Sequence, residues 1–277
     1  MKNILVPIEM HSTTDSVLQT ALLLGQRFDS YIEGVCLGLE LPTPSDLDVS
    51  VHWALDDPNI LSELAHEARQ CFERFMAENN VPSRLDGHAL LSYGFVGDRP
   101  WGDSQVATYA RAFDLTILGR PGAERGNPRL LTAEAALFES GRPVLLAPPE
   151  PPKSLGETIV IAWNQSMESA RATALAMPLL MRARKVIILV VEAHNVPGPS
   201  GEQLADTLAR HQVPVEVVHR LGRKRSAGVA FLEDAASLGG DLMIKGAYTQ
   251  SRIRQMIFGG ATSHILAKAQ MPVLMSN

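Results

Sequence analysis

Laid against itself, this chain repeats. Asp114-Leu-Thr-Ile-Leu-Gly119 parallels Asp241-Leu-Met-Ile-Lys-Gly246, and each is followed after a comparable interval by Pro143-Val-Leu-Leu or Pro272-Val-Leu-Met. The starts match too, Ile4-Leu-Val-Pro-Ile-Glu9 against Ile159-Val-Ile-Ala-Trp-Asn164, and a small polar loop then leads to Thr20-Ala-Leu or Thr173-Ala-Leu. Between the copies lies Pro148-Pro-Glu-Pro-Pro-Lys-Ser-Leu-Gly156. Prolines this dense continue neither a helix nor a central strand and favour an extended spacer. In 277 residues this predicts two related domains, 1–148 and 157–277, joined by a linker over 149–156.

Each copy alternates strands with helices. In the second, strands are expected at Thr158–Ala162, Val186–Val191, Val215–His219, Leu242–Lys245 and Val273–Met275. Helices are expected at Ser169–Met181, Gly201–His211, Ala227–Leu238 and Ala261–Ala269. Continuous apolar runs such as Val186–Val191 suit parallel strands covered on both faces. The order predicts an α/β fold, two tandem doubly wound five-stranded parallel sheets with crossover helices. The first copy is about 28 residues longer between its start and Gly119, the excess falling around Pro42–Asn80. Pro42-Thr-Pro-Ser is loop-like, and Leu61–Phe75 has helical apolar spacing, as expected of a helix packed on its own sheet.

Composition narrows the function. A net charge of −5 and 5% aromatic residues favour neither a nucleic-acid partner nor an anionic membrane. No run approaches the length of a membrane span, and the N-terminal apolar stretch ends at Glu9, too early for a secretory signal. The expectation is a cytoplasmic protein with reduced core cysteines, Cys36 and Cys71. Phosphate-loop, dinucleotide, zinc-protease and serine-hydrolase motifs do not occur, and no histidine pair has metal-ligand spacing. No nucleophile–base pair is visible around Ser226 or Ser251, and Lys245 alternates with Met243 onto a sheet face.

Ligands of such sheets bind beyond the carboxyl ends of the strands. In the second copy Gly246 leaves a strand there, and Gly259-Gly260 precedes the last helix, whose free N–H groups favour a phosphate. Ala261 and Thr262 open that helix, and Thr262 offers a hydroxyl. The bland alternative leaves these glycines as turn caps. Arg223-Lys-Arg225, Arg252 and Arg254 are cationic groups near the same edge, readable either as phosphate partners or as solvated loop residues. The first copy has Asp98, Arg99 and Asp103 in the matching stretch.

A strand followed by G-x2-G-x9-G-[S/T], a helix and P-V-L resembles the nucleotide-binding signature of the universal stress protein family, and Gly246-Ala-Tyr … Phe-Gly-Gly-Ala-Thr … Pro-Val-Leu-Met is similar to its tandem members. The resemblance covers both copies. It implies ATP or another adenine nucleotide, with magnesium as an optional companion, and two halves packed as an internal pseudo-dimer. Carried over, the site comprises Ala162, Asn164, Val190, Gly246, Thr249, Gly259, Gly260, Ala261 and Thr262. Thr249 stands where the family has its second glycine, Gly260 where it has a hydroxyl, and Asn164 where it has an aspartate. Pro7, Glu9, Val35, Gly119 and Gly122 are the first copy's counterparts. There the third glycine is missing: Leu130 or Thr132 takes its place, depending on register, and that copy is expected to be degenerate or adapted to another ligand.

The implied function is a nucleotide-binding stress-response module that senses or regulates through a protein partner. A scaffold with decayed motifs and a slow ATP-hydrolysing enzyme are the alternatives. Self-association is expected through the edges of the last strands, Val144–Ala147 and Val273–Met275, unless those edges pair with each other.

Overall fold

The computed structural model describes residues 1–38, 58–84, 90–122, 127–222, 225–247 and 260–277. The loop expected at Pro42-Thr-Pro-Ser, and Thr249, Gly259, Arg223, Ser251, Arg252 and Arg254, lie outside them. The N-terminal half contributes β1 (Asn3–Ile8), α1 (Thr14–Phe28), β2 (Tyr31–Leu37), α2 (Pro58–Glu78), β3 (Ser92–Trp101), α3 (Asp103–Tyr109), β4 (Leu115–Gly119), α4 (Leu130–Glu139) and β5 (Val144–Ala147). The C-terminal half contributes β6 (Thr158–Trp163), α5 (Met167–Leu175), α6 (Met177–Leu180), β7 (Lys185–Val191), α7 (Gly201–Arg210), β8 (Val215–Arg220), α8 (Ala227–Ser237), β9 (Leu242–Gly246), α9 (Ala261–Lys268) and β10 (Val273–Ser276).

The two five-stranded parallel sheets are present, and they merge. Strand order is β3-β2-β1-β4-β5-β10-β9-β6-β7-β8, and the joint is antiparallel, pairing Val144 with Met275, Leu145 with Leu274 and Leu146 with Val273. The last strands therefore pair with each other, the alternative under which their edges are not open to a second copy. On one face a continuous core takes Val17 and Leu18 of α1, Phe72 of α2, Ala172 of α5 and Leu208 of α7. On the other, Ala136 of α4 packs in one cluster with Phe231 of α8 and Ile265 of α9. Both cores cross the joint. The spacer is fixed as well: Ser16 Oγ donates to the carbonyls of Pro148 at 2.6 Å and Glu150 at 3.0 Å, and Arg27 reaches the Gly156 carbonyl and Glu157.

Local chemistry explains where the elements differ from expectation. The helix expected at Ser169–Met181 is two, because Pro178 in the first turn of α6 has no N–H to give and cannot continue the preceding turn. The long helix of the insertion begins earlier than Leu61, with Pro58 in its first turn, and buries Ala65, Ala68, Phe72 and Met76 on β2 and β3. Pro7 sits inside central β1, but pairing of β1 with β4 ends at Leu5–Thr116, so its missing N–H breaks no bond on that side.

Candidate functional site

Register equates the halves residue by residue. Leu5 pairs with Glu33 and Thr116, and Val160 pairs with Ile187 and Met243. Pro7 thus corresponds to Ala162, Glu9 to Asn164, and Val35 to Leu189 rather than Val190.

In the C-terminal half the carboxyl edge collects the ends of β6, β7 and β9 and the N-termini of α5, α8 and α9. Ala162 and Lys245 lie on the face covered by α8 and α9, and so does Val191. Val190 points to the opposite face, where it packs so closely on α7 that a Cβ at Gly201 would come within 2.8 Å of its Cγ2. Gly260 is the N-cap of α9 with no side chain capping it, Ala261 follows, and Thr262 is buried. The N-terminus of α8 abuts that of α9: a Cβ on Gly228 would lie 3.0 Å from the Ala261 carbonyl and 2.7 Å from His264 Cβ. Two positive helix ends therefore converge at one corner. Gly246 faces away from them. A Cβ there would sit 2.4 Å from the Ser169 nitrogen, so this glycine lets the first turn of α5 approach β9. That turn is capped by Ser166, whose Oγ accepts from Ser169 N at 3.2 Å.

The loop after β7 folds over the end of β6. Val196 N donates to the Asn164 carbonyl at 3.0 Å, Trp163 Nε1 donates to the Pro199 carbonyl at 3.0 Å, and Gln165 takes a left-handed φ of 68° against Gly198. Within this fold-over Asn195 Oδ1 is buried without a hydrogen-bond partner. An amide oxygen removed from water with nothing to accept is costly, and a ligand N–H would relieve it. His194 Nε2 donates to the Arg225 carbonyl at 3.0 Å. The Arg225 guanidinium is committed, making two 3.0 Å bonds to Asp234 and one of 3.1 Å to Glu233. Lys245 is buried and donates to the Gly246 carbonyl at 2.7 Å; desolvation pulls its ammonium down to about 8, against the opposing pull of Glu168.

The N-terminal counterpart is filled by the chain itself. Arg129, the N-cap residue of α4, lies 3.3 Å from Glu9 and 3.2 Å from Asp103, and Thr132 Oγ1 donates to Asp103 at 2.6 Å. Pro128 lies against Gly119, where a Cβ would come within 2.4 Å of its ring, and Asn127 crowds Gly122 in the same way. His11 sits beside Gly119, its imidazole brought to about 4 by burial. Val35 is core beneath α3. His194, Asn195 and Gly228 were not among the residues that the sequence singles out. Nothing in a loop sequence marks an amide as orphaned, and Gly228 is legible only once two helices are seen to meet.

No protein-family profile matches the sequence, and no curated protein matches it. Solved structures do match. A universal stress protein from Archaeoglobus fulgidus superposes with a TM-score of 0.71 at 16% identity, covering 99% of this chain and 96% of that one. A functionally unknown protein from Pseudomonas aeruginosa gives 0.54 at 15% identity, covering 100% and 92%. The chain has the fold of universal stress proteins, and that fold extends over its whole length.

Proposed function

We propose that this chain is a tandem universal stress protein that binds one adenine nucleotide, at the carboxyl edge of its C-terminal half, and acts as a nucleotide-responsive regulator of a protein partner. The observation that carries the reading is the meeting of the α8 and α9 N-termini at Gly228 and Ala261, with α9 capped by no side chain. Converging N–H groups and helix dipoles favour a phosphate group. Asn195 Oδ1, buried and unpartnered, is suited to the exocyclic amine of adenine. Asn164, whose backbone carbonyl accepts from Val196, the residue after Asn195, offers a further amide in place of the carboxylate that the family's pattern carries. ATP is the expected form, and a magnesium ion would be held chiefly by its phosphates. The Glu9–Arg129–Asp103 cluster stands where phosphates would lie in the N-terminal half, which supports one ligand per chain.

Gly260→Asp tests the site. Gly260 has φ −78° and ψ 170°, open to any residue, and aspartate is a favoured N-cap. The substitution should leave stability unchanged or raise it by a few tenths of a kcal/mol, while a carboxylate at the phosphate position abolishes binding of ATP and AMP in calorimetric titration. Unchanged affinity in the variant, or no binding to the wild type at millimolar nucleotide, would reject the reading. Phosphate release followed in the same samples separates a regulator from a slow hydrolase.

A further inference from the structure

A cavity of about 650 Å3 opens at the amino edge of the N-terminal half, away from the strand ends discussed so far. At its floor is Glu33, 5% exposed, in the second strand of the sheet. Its carboxylate accepts Tyr31 Oη on Oε2 at 2.6 Å and Tyr109 Oη on Oε1 at 2.7 Å. Gly94, paired with Glu33 across the sheet, makes this possible: a Cβ there would lie 2.3 Å from the Tyr31 hydroxyl. Burial and the hydrogen bonds to Glu33 push both phenols up to about 12, so they stay protonated as donors. Each carboxylate oxygen keeps a lone pair for a further donor.

The equivalent position in the other half is Ile187, fully buried in apolar core beneath α8. The same fold thus has an apolar solution at this point. In the N-terminal half α3 runs on into a 3-10 turn over Ala110–Ala112, and the end of that turn, Ala112 with Phe113, lines the cavity. Among the described residues no cation lies within ion-pair distance of Glu33. A buried carboxylate without a counter-ion has lost hydration that a cationic ligand would offset. Phe113 and Leu90 give the lining its apolar part and Asn3, Ser92 and the exposed Asp29 its polar part. At the rim stand Arg84, 5.1 Å over the Tyr31 ring, and Lys2, whose ammonium donates to the Phe28 and Asp29 carbonyls and keeps its third N–H. The cavity thus presents a buried anion at its floor, two cations beside the exposed Asp29 at its mouth, and apolar surface from Phe113 and Leu90.

We infer that this cavity is a binding site for a free α-amino acid, with its ammonium on Glu33, its carboxylate toward Arg84 and Lys2, and an apolar side chain along Phe113 and Leu90. Neutral overall but oppositely charged at its two ends, such a zwitterion matches the cavity where a simple amine or a simple carboxylic acid matches only one end. The site is independent of the nucleotide edge.

The test is calorimetric titration of the full chain with each of the twenty L-amino acids, then with the decarboxylated and deaminated analogues of the tightest one. The expected result is saturable binding of apolar amino acids, with both analogues weaker by about tenfold or more. Glu33→Gln should weaken amino-acid binding roughly ten- to a hundredfold. Arg84→Ala, at an exposed position that the fold does not depend on, should bring the amino acid down to the affinity of its decarboxylated analogue. No saturable binding by any amino acid overturns the proposal, as does affinity that survives both substitutions in folded protein.

Discussion

Lys245 is a residue whose chemistry departs far from what its sequence neighbourhood suggests. In the unfolded chain its ammonium titrates near 10.5, and in the fold near 8. Below about 8 both states are protonated, and the fold carries the full cost of a buried charge, roughly 3 kcal/mol. Between about 8 and 10.5 the unfolded state binds the extra proton, so stability rises with pH through that window and levels off above it. Lys245→Met should remove the rise and stabilise the protein at neutral pH, as read from urea unfolding on either side of the window. A wild-type stability that is flat across it would contradict the assignment. At this scale the sequence was half legible. The alternation of Lys245 with Met243 gave its face, but nothing local could tell that the face is covered there. Glu33 is the same case reversed: a charge inside the apolar run Tyr31–Leu37 is visible, while its two tyrosine partners come from two and from 76 residues away.

Between elements, Gly246 separates two ideas about what a glycine at a strand end is for. The repeat pattern marks it as a ligand residue, whereas its empty Cβ position is taken by the backbone of α5. Gly246→Ala should destabilise the protein by about 1–3 kcal/mol, since backbone cannot move aside as a flexible side chain can. Gly260→Asp, a few residues from the same corner, should cost nothing in stability. Thermal unfolding of the two variants side by side checks both, and a neutral Gly246→Ala would return that residue to a purely ligand-facing role. Most elements were legible because apolar runs and turn residues agree with the folded packing. The break at Pro178 was missed where apolar spacing outweighed the proline. Val35 and Val190 were offered as equivalents, but register shows one residue of offset and opposite faces. Single-residue register depends on ladders that no segment carries by itself.

For the whole molecule, the repeat made the two halves legible, and the proline-rich spacer made their boundary expected. How they join was open, because pairing of β5 with β10 is a contact between residues 144–146 and 273–275, set by shape and core rather than by any motif. Since both major cores contain side chains from each half, the chain should unfold in one calorimetric transition. Two resolved transitions would show the halves to be energetically separate. Native mass spectrometry should likewise count one nucleotide per chain, and a count of two would mean that the Arg129 cluster yields to phosphate.

The antiparallel joint also fixes which way the two halves look. A twofold axis through the β5–β10 pair, normal to the sheet, turns one half onto the other. Their carboxyl rims therefore face in opposite directions, and the amino rim of the first half runs level with the carboxyl rim of the second. The Glu33 cavity and the corner at Gly228 and Ala261 open along that shared border. A single protein lying along it would meet one site from each half, whereas no single ligand can bridge the two nucleotide-type edges. Such a chain is a pair of related halves held at fixed one-to-one composition, whose two carboxyl edges are free to diverge, as the Arg129 cluster and the Gly228 corner have.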